Sequence, residues 1–183
     1  MLLASPDIEQ LTINISSNCS HVFDLVPLTR CRWPRLRKLE VGNIPSQTYA
    51  TGGPLVQSPM VPFLTSHHNL ETLSFRYPDL SLATPLHLRS FHGFSRQMDT
   101  LLIPSSLQHL ELTCIGTRDY MISDLIPRLR TLDSLVSLNI WLDFGLCLRI
   151  ERERWLTPLL MSCPGLLSLE LLFSWTPSPN FVS

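Results

Sequence analysis

Large apolar residues recur along the chain in a six-residue pattern that places them at relative positions 1, 4 and 6, with mainly polar residues between them. The clearest copy is Leu107-Gln108-His109-Leu110-Glu111-Leu112. The alternation of positions 4 and 6 is typical of a half-buried β-strand, and position 1 turns in beneath the same face. Seven copies follow this pattern, the fourth ending in Gly93 in place of an apolar residue. They begin at Ile8, Leu36, Leu70, Leu88, Leu107, Leu135 and Leu166.

The spacing of these first positions is irregular. Successive copies begin 28, 34, 18, 19, 28 and 31 residues apart, scattered around the period of about 20–29 residues found in leucine-rich repeats. Pro6, Pro34 and Pro164 each stand two residues before the first apolar position of their copy. A proline at that point ends any preceding helix and favours an extended start to the strand. The prolines therefore support one common register.

The segments that connect the copies differ in length. Ser58 and Pro59 fit the N-cap and first position of a helix, and the glycines of Thr48 to Pro54 indicate a mobile loop. The short connections at 80–86 and 96–104 predict loops or a single turn. The longer connections predict helices within 20–26, 58–66, 119–132 and 151–162.

Together these features predict an α/β fold. We expect one domain over residues 1–183: an irregular leucine-rich-repeat solenoid of about seven repeats, with a parallel β-sheet on the concave side and helices and loops on the convex side. In a solenoid each unit buries its apolar face only against its neighbours. Met1 falls inside the helical part of a repeat, and no amphipathic cap follows Trp175. The sequence therefore predicts a fragment of a longer chain without end caps.

Composition narrows the function classes. Charged residues are 16% of the chain, against roughly 25% on average, and the formal net charge of -1 argues against a nucleic-acid or membrane-surface partner. Residues 155–175 contain one charge, Glu170, but also two prolines and a glycine, so a membrane span is not expected. No secretory signal is visible, which predicts a cytoplasmic or nuclear protein. The cysteines have no metal or disulfide spacing and are expected to be reduced and mostly buried: Cys19, Cys31, Cys114, Cys147 and Cys163.

Positions 3, 5 and 7 of each copy should project from the concave side of the sheet, the face that solenoids usually use for recognition. Trp141 has two interpretations: it is an exposed binding hot spot, or its own connector, Leu142 to Leu148, covers it. The predicted partner-binding residues are Arg76, His92, His109, Glu111, Thr113, Asn139, Trp141, Glu170 and Leu172.

His92 and Glu111 should be lateral neighbours, about 4.8 Å apart on adjacent strands. They could form a general acid–base pair, and with Ser90 a small hydrolase. A simple surface contact is the favoured interpretation, because no glycine-rich loop or pocket accompanies the pair. We therefore expect no catalytic residues and no cofactor.

Two further clusters have a functional and a structural interpretation. His67-His68 could bind a metal, but no third ligand stands at suitable spacing, and imidazole is also favoured at a helix C-terminus. No metal site is therefore expected. The basic cluster could contact an acidic partner, although a solvated strand edge is favoured; it comprises Arg30, Arg32, Arg35, Arg37 and Lys38.

The proline-containing starts Ser5-Pro6, Trp33-Pro34 and Cys163-Pro164, and the phrase Trp33 to Val41, resemble the leucine-rich repeats of F-box/LRR proteins, most closely the large fungal group. The resemblance implies a non-catalytic protein–protein interaction module, the substrate-recognition part of an F-box-type ubiquitin-ligase receptor. Such a receptor would reach a Skp-type adaptor through an upstream F-box that this sequence does not contain. The alternatives are the hydrolase and a structural repeat fragment with no independent function.

Overall fold

Each of the seven hexapeptide copies forms one β-strand, and the strands lie side by side in chain order. All six neighbouring pairs are parallel. The strands are β1 (Gln10–Asn14), β2 (Lys38–Gly42), β3 (Thr72–Phe75), β4 (Ser90–Phe94), β5 (His109–Cys114), β6 (Ser137–Asp143) and β7 (Ser168–Ser174). A computed structural model describes residues 7–14, 31–42, 60–75, 86–95, 97–100, 104–114, 122–143 and 155–174.

The register of the sheet follows the hexapeptides. Position 4 of each copy pairs with position 4 of the next, so that Leu39 lies beside Leu73, and Leu110 lies between Phe91 and Leu138. Positions 1, 4 and 6 are buried in the five interior copies and half-buried in the first and last. This gradient is expected where each strand is shielded by its neighbours. The prediction of seven adjacent parallel strands is confirmed.

Three short helices lie in the long connections and pack on the buried face of the sheet, and a single helical turn lies in the short connection 96–104. Phe63, Leu125 and Leu159 belong to one apolar core with the strand leucines. The helices are α1 (Met60–Ser66), α2 (Gln97–Thr100), α3 (Ile122–Leu129) and α4 (Leu156–Ser162).

Three of these helices lie within predicted helical segments but are shorter than those segments. The single turn α2 agrees with the prediction for the short connection 96–104. In α4, Leu159 is fully buried and Trp155, four residues earlier, packs against the core. The second predicted pair, Leu156 and Leu160, is exposed instead. The helix predicted at 20–26, the loops at 48–54 and 80–85, and the proposed cap residues Ser58 and Pro59 lie outside the described residues.

The prolines that precede the strands lie in turns where an extended start was predicted, although α4 ends just before Pro164 as expected. Pro6 lies outside the described residues. Pro34 and Pro164 are each the second residue of a β-turn, which is closed by hydrogen bonds from Leu36 N–H to Trp33 O (2.9 Å) and from Leu166 N–H to Cys163 O (3.1 Å). Proline is favoured there because its ring presets the backbone angle that the turn needs. The same turn precedes β3, β5 and β6 without proline at its second position. Proline thus stiffens a turn that the fold repeats, rather than extending the chain.

A repeated hydrogen-bond pattern fixes the start of every strand after the first. The carbonyl at position 2 of one copy accepts hydrogen bonds from the N–H groups at positions 2 and 3 of the next, as Arg89 O does from Gln108 and His109 at 2.9 and 3.0 Å. All six junctions have this arrangement. This arrangement aligns neighbouring copies before the regular hydrogen bonds between the strands begin, and it leaves these N–H groups paired within the protein.

The irregular fourth copy is explained by complementary side-chain sizes. A Cβ atom added at Gly93 would lie 2.5 Å from the end of the Phe91 ring and would also meet the amide oxygen of Gln97. Gln97 is fully buried, and this oxygen accepts a hydrogen bond from Phe94 N–H at 2.6 Å. The larger ring at position 4 and the buried amide therefore fill the space that an apolar residue at position 6 takes in the other copies.

His67 joins two neighbouring units in the core. It follows α1 directly and is 4% exposed. Its Nε2 accepts a hydrogen bond from Trp33 N–H at 3.0 Å, while Nδ1 donates to Phe63 O at 2.7 Å. Burial lowers the pKa of His67, partly opposed by the hydrogen bond to Phe63. The histidine lies at a helix C-terminus as predicted, but it is held neutral by burial rather than charged by the helix.

The described cysteines and helices bear on two further predictions. Cys31 and Cys163 are buried, and burial raises the pKa of both thiols. This agrees with the expected buried thiols; Cys19 and Cys147 lie outside the described residues. None of the helices in the described ranges has the length and apolar character needed to cross a membrane. The window 155–175 contains α4 followed by β7.

Candidate functional site

The face of the sheet opposite the core carries the side chains at positions 3, 5 and 7, and we call it the open face. The strands bring most of the predicted partner-binding residues together here in three rows. His109 belongs to the row of position 3, and Thr113 to the row of position 7 with Trp141 and Leu172. Arg76 lies outside the described residues. The row of position 5 contains His92, Glu111, Asn139 and Glu170.

His92 is the centre of a chain of contacts across three strands. Its Nε2 lies 3.3 Å from Glu111 Oε1, and its Nδ1 lies 3.3 Å from Ser74 Oγ on the other side. The predicted lateral pair of His92 and Glu111 is therefore present. The serine in contact with the imidazole is Ser74, whereas Ser90 was predicted for the hydrolase. Ser74 stands at position 5, so the register of the copies could have identified it.

The arrangement differs from the usual serine-hydrolase triad, in which the serine contacts Nε2 and the carboxylate contacts Nδ1. Here the two ring nitrogens have exchanged partners. The imidazole can still accept, hold and donate a proton between a hydroxyl and a carboxylate. The His92 and Glu111 side chains are 22% and 32% exposed, so both can contact a ligand.

The polar row continues toward the first strand. Glu40 accepts a hydrogen bond from Thr12 Oγ1 at 3.0 Å and forms an ion pair with Lys38 at 3.0 Å. The hydrogen bond from Lys38 contributes most to lowering the pKa of Glu40, followed by that from Thr12; the more distant His92 has a smaller effect. Glu40 is therefore held as a carboxylate on the open face, in the same row as His92.

Among the described residues of the open face, Trp141 is the most exposed large apolar side chain. It is 44% exposed and lies in register between Thr113 on β5 and Leu172 on β7. This degree of exposure favours the interpretation as an accessible side chain over a covered one. A half-exposed indole offers a large apolar surface together with a hydrogen-bond donor, which suits protein interfaces.

The structure also contains a polar groove that the sequence interpretation did not identify. It runs across the N-terminal ends of the strands, where the β-turns lead into them, and we call it the turn groove. Its volume is about 1010 Å³, and it is lined by residues of six consecutive copies. One wall is the row of position 2 side chains: Glu9, Arg37, Glu71, Arg89 and Gln108.

The other wall of the turn groove consists of turn residues immediately before position 1. The amide of Asn69 donates to Pro34 O at 2.9 Å and thereby ties two adjacent turns together. His68 also lines the groove, so the His67-His68 pair divides between the core and this surface. The turn residues on this wall are Arg35, Asn69, His87, Ser106 and Ser134.

The basic cluster lies partly on the turn groove and is partly neutralised. Arg35 contacts Asp7 at 3.1 Å, and Arg37 contacts Glu71 at 3.5 Å. Lys38 projects onto the open face beside Glu40, and Arg32 is exposed outside the groove lining. The cluster is thus not one continuous basic surface.

Within the described ranges, no group of three or more histidine, cysteine, aspartate or glutamate side chains is placed to hold a metal ion. Comparison of the chain with family models, curated proteins and solved structures gives no match.

Proposed function

We propose that this chain is a non-catalytic protein–protein interaction module, a leucine-rich-repeat solenoid that recognises a protein partner with its open face. The observation that carries the proposal is the juxtaposition, on one accessible sheet face, of Trp141 with the polar row around His92 and Glu111. A sheet face with an apolar anchor and polar neighbours has the composition of a binding hot spot and its surroundings.

The register supports the leucine-rich-repeat type. Each unit contributes one strand, with its apolar positions aligned across neighbours. The resemblance to F-box/LRR proteins extends the proposal to a substrate receptor of a ubiquitin ligase that binds a Skp-type adaptor through a separate F-box. That extension rests on the sequence motifs alone.

Replacing Trp141 with alanine should weaken partner binding about tenfold, since truncated hot-spot tryptophans remove more than about 1 kcal/mol of binding free energy. The wild-type chain and the variant are immobilised, and proteins captured from a lysate are compared by quantitative mass spectrometry. Leu160→Ala is the matched control, because Leu160 is 48% exposed but lies on α4, away from the open face.

The proposal requires a set of proteins that the wild type and Leu160→Ala retain equally and that Trp141→Ala loses. Equal capture by all three chains would contradict recognition through Trp141. Equal loss in both variants would show that exposed apolar surface, not the open face, causes retention.

The alternative is hydrolysis, which the contacts of His92 with Ser74 and Glu111 favour. If it is correct, the chain hydrolyses an activated ester such as p-nitrophenyl acetate, and Ser74→Ala loses this activity while Ser90→Ala keeps it. The measurement is the initial rate above buffer. Absence of turnover by the wild type, or equal turnover by Ser74→Ala, would exclude this role for the contact chain.

A further inference from the structure

We propose that the turn groove binds an acidic peptide segment in an extended conformation, with an aspartate or glutamate side chain on Arg89. The site is separate from the open face, because the turn groove lies at the edge of the sheet where the strands begin. The inference therefore does not depend on recognition through Trp141.

The distribution of charge along the groove favours an acidic ligand in its second half. Among the first three copies, two arginines line the groove against two glutamates, and Asp7 lies 3.1 Å from Arg35, so the positive charge there is offset. In the fourth to sixth copies, Arg89 lines the groove together with serine, glutamine and histidine side chains and no carboxylate. An acidic side chain is therefore attracted to the part of the groove around Arg89.

The charges are unevenly compensated along the groove. In the half formed by the first three copies, Arg37 is paired with Glu71, and Arg35 with Asp7. Arg89 is exposed and forms no ion pair with another described residue. A guanidinium is suited to bind a carboxylate through two parallel hydrogen bonds, so Arg89 is the anchoring position.

Neutral hydrogen-bonding side chains follow Arg89 along the groove. Ser106, Gln108 and Ser134 are exposed and line its remaining part. They can donate to and accept from a peptide main chain. Six copies at a strand spacing of about 4.8 Å extend over roughly 24 Å, which about eight extended residues span.

Recognition must occur through side chains. At each junction the N–H groups at positions 2 and 3 already donate to the preceding copy, as Gln108 and His109 do to Arg89 O. A peptide therefore cannot extend the sheet at these N–H groups.

The test measures fluorescence anisotropy of a fluorescein-labelled peptide of about eight residues that alternates glutamate and serine, at about 50 and 200 mM salt. We expect the wild type to bind it, more weakly at the higher salt, and Arg89→Glu to bind about tenfold more weakly. A peptide with lysine in place of glutamate should bind the wild type poorly and Arg89→Glu better.

Arg130→Glu is the control, since it makes the same change of charge at an exposed arginine that does not line the groove. It should bind like the wild type, and Trp141→Ala should as well. Circular dichroism confirms that each variant is folded. Equal weakening by Arg130→Glu, unchanged binding by folded Arg89→Glu, or equal binding of a single-stranded oligonucleotide would overturn the proposal.

Discussion

Replacing Leu110 with aspartate should lower the free energy of unfolding by more than about 4 kcal/mol, the range reached only by severe core substitutions. Leu110 is 2% exposed and lies between Phe91 and Leu138 in the centre of the sheet. The substitution removes about 1.5–3 kcal/mol of apolar transfer free energy and buries a carboxylate without a partner. Since domains are stable by about 5–15 kcal/mol, much of the variant should be unfolded.

Urea denaturation followed by circular dichroism measures this effect. Leu167→Asp is the matched control: the residue type and the change are the same, but Leu167 is 85% exposed. The control should differ from the wild type by less than about 0.5 kcal/mol, as surface substitutions usually do. Similar losses in both variants would contradict the assignment of position 4 to a shared core.

Replacing His67 with alanine should lower the free energy of unfolding by about 3 kcal/mol. The variant leaves the buried backbone N–H of Trp33 without its acceptor, which costs about 1–3 kcal/mol. It also removes a ring that packs on Phe63 with centroids 4.1 Å apart, which leaves a cavity in the core. His67→Gln should lose less, because its amide oxygen can accept the same hydrogen bond.

The protonation of His67 adds a pH dependence with a defined sign. Because burial lowers its pKa in the folded protein, the unfolded chain takes up the proton first as the pH falls below about 6.5. This contribution to stability is therefore complete above that pH and is lost as the pH falls toward the folded-state pKa.

The pH dependence is isolated by comparing wild type with His67→Gln, which keeps all other titrating groups. Their difference in unfolding free energy should be constant above about pH 7 and should shrink toward pH 5. A constant difference across this range would mean that His67 takes up its proton equally in both states, and the assigned neutral form would then be wrong.

The strands could be predicted because the alternation of apolar and polar residues within each hexapeptide is enough to specify a half-buried strand. Residues such as Leu39, Leu110 and Leu138 recur in register, and a slip of one residue would turn every one of them toward solvent. The burial of these positions and the pairing of His92 with Glu111 follow from that register alone.

The remaining features depend on contacts that the alternation does not encode. The acceptor on His67 and the complementarity of Phe91 with Gly93 arise where a connector or an enlarged side chain meets the neighbouring unit. The turn groove was detectable in principle, because the residue before position 1 and the residue at position 2 also recur in register. The row at position 2 and the row directly before position 1 predict that Arg89 lies beside Gln108 and Ser106 of the next copy.

The chain order of the strands has a consequence for how such a protein can change over evolutionary time. Among the strands of the described ranges, none is inserted between two others that precede it in the sequence, so duplication or deletion of a whole unit requires no rethreading of the chain. The sheet also tolerates connectors of different length, since the intervals between copies range from 18 to 34 residues. Gains and losses of sequence are thus accommodated between the hexapeptides, while a single-residue insertion within one would break its alignment with both neighbours.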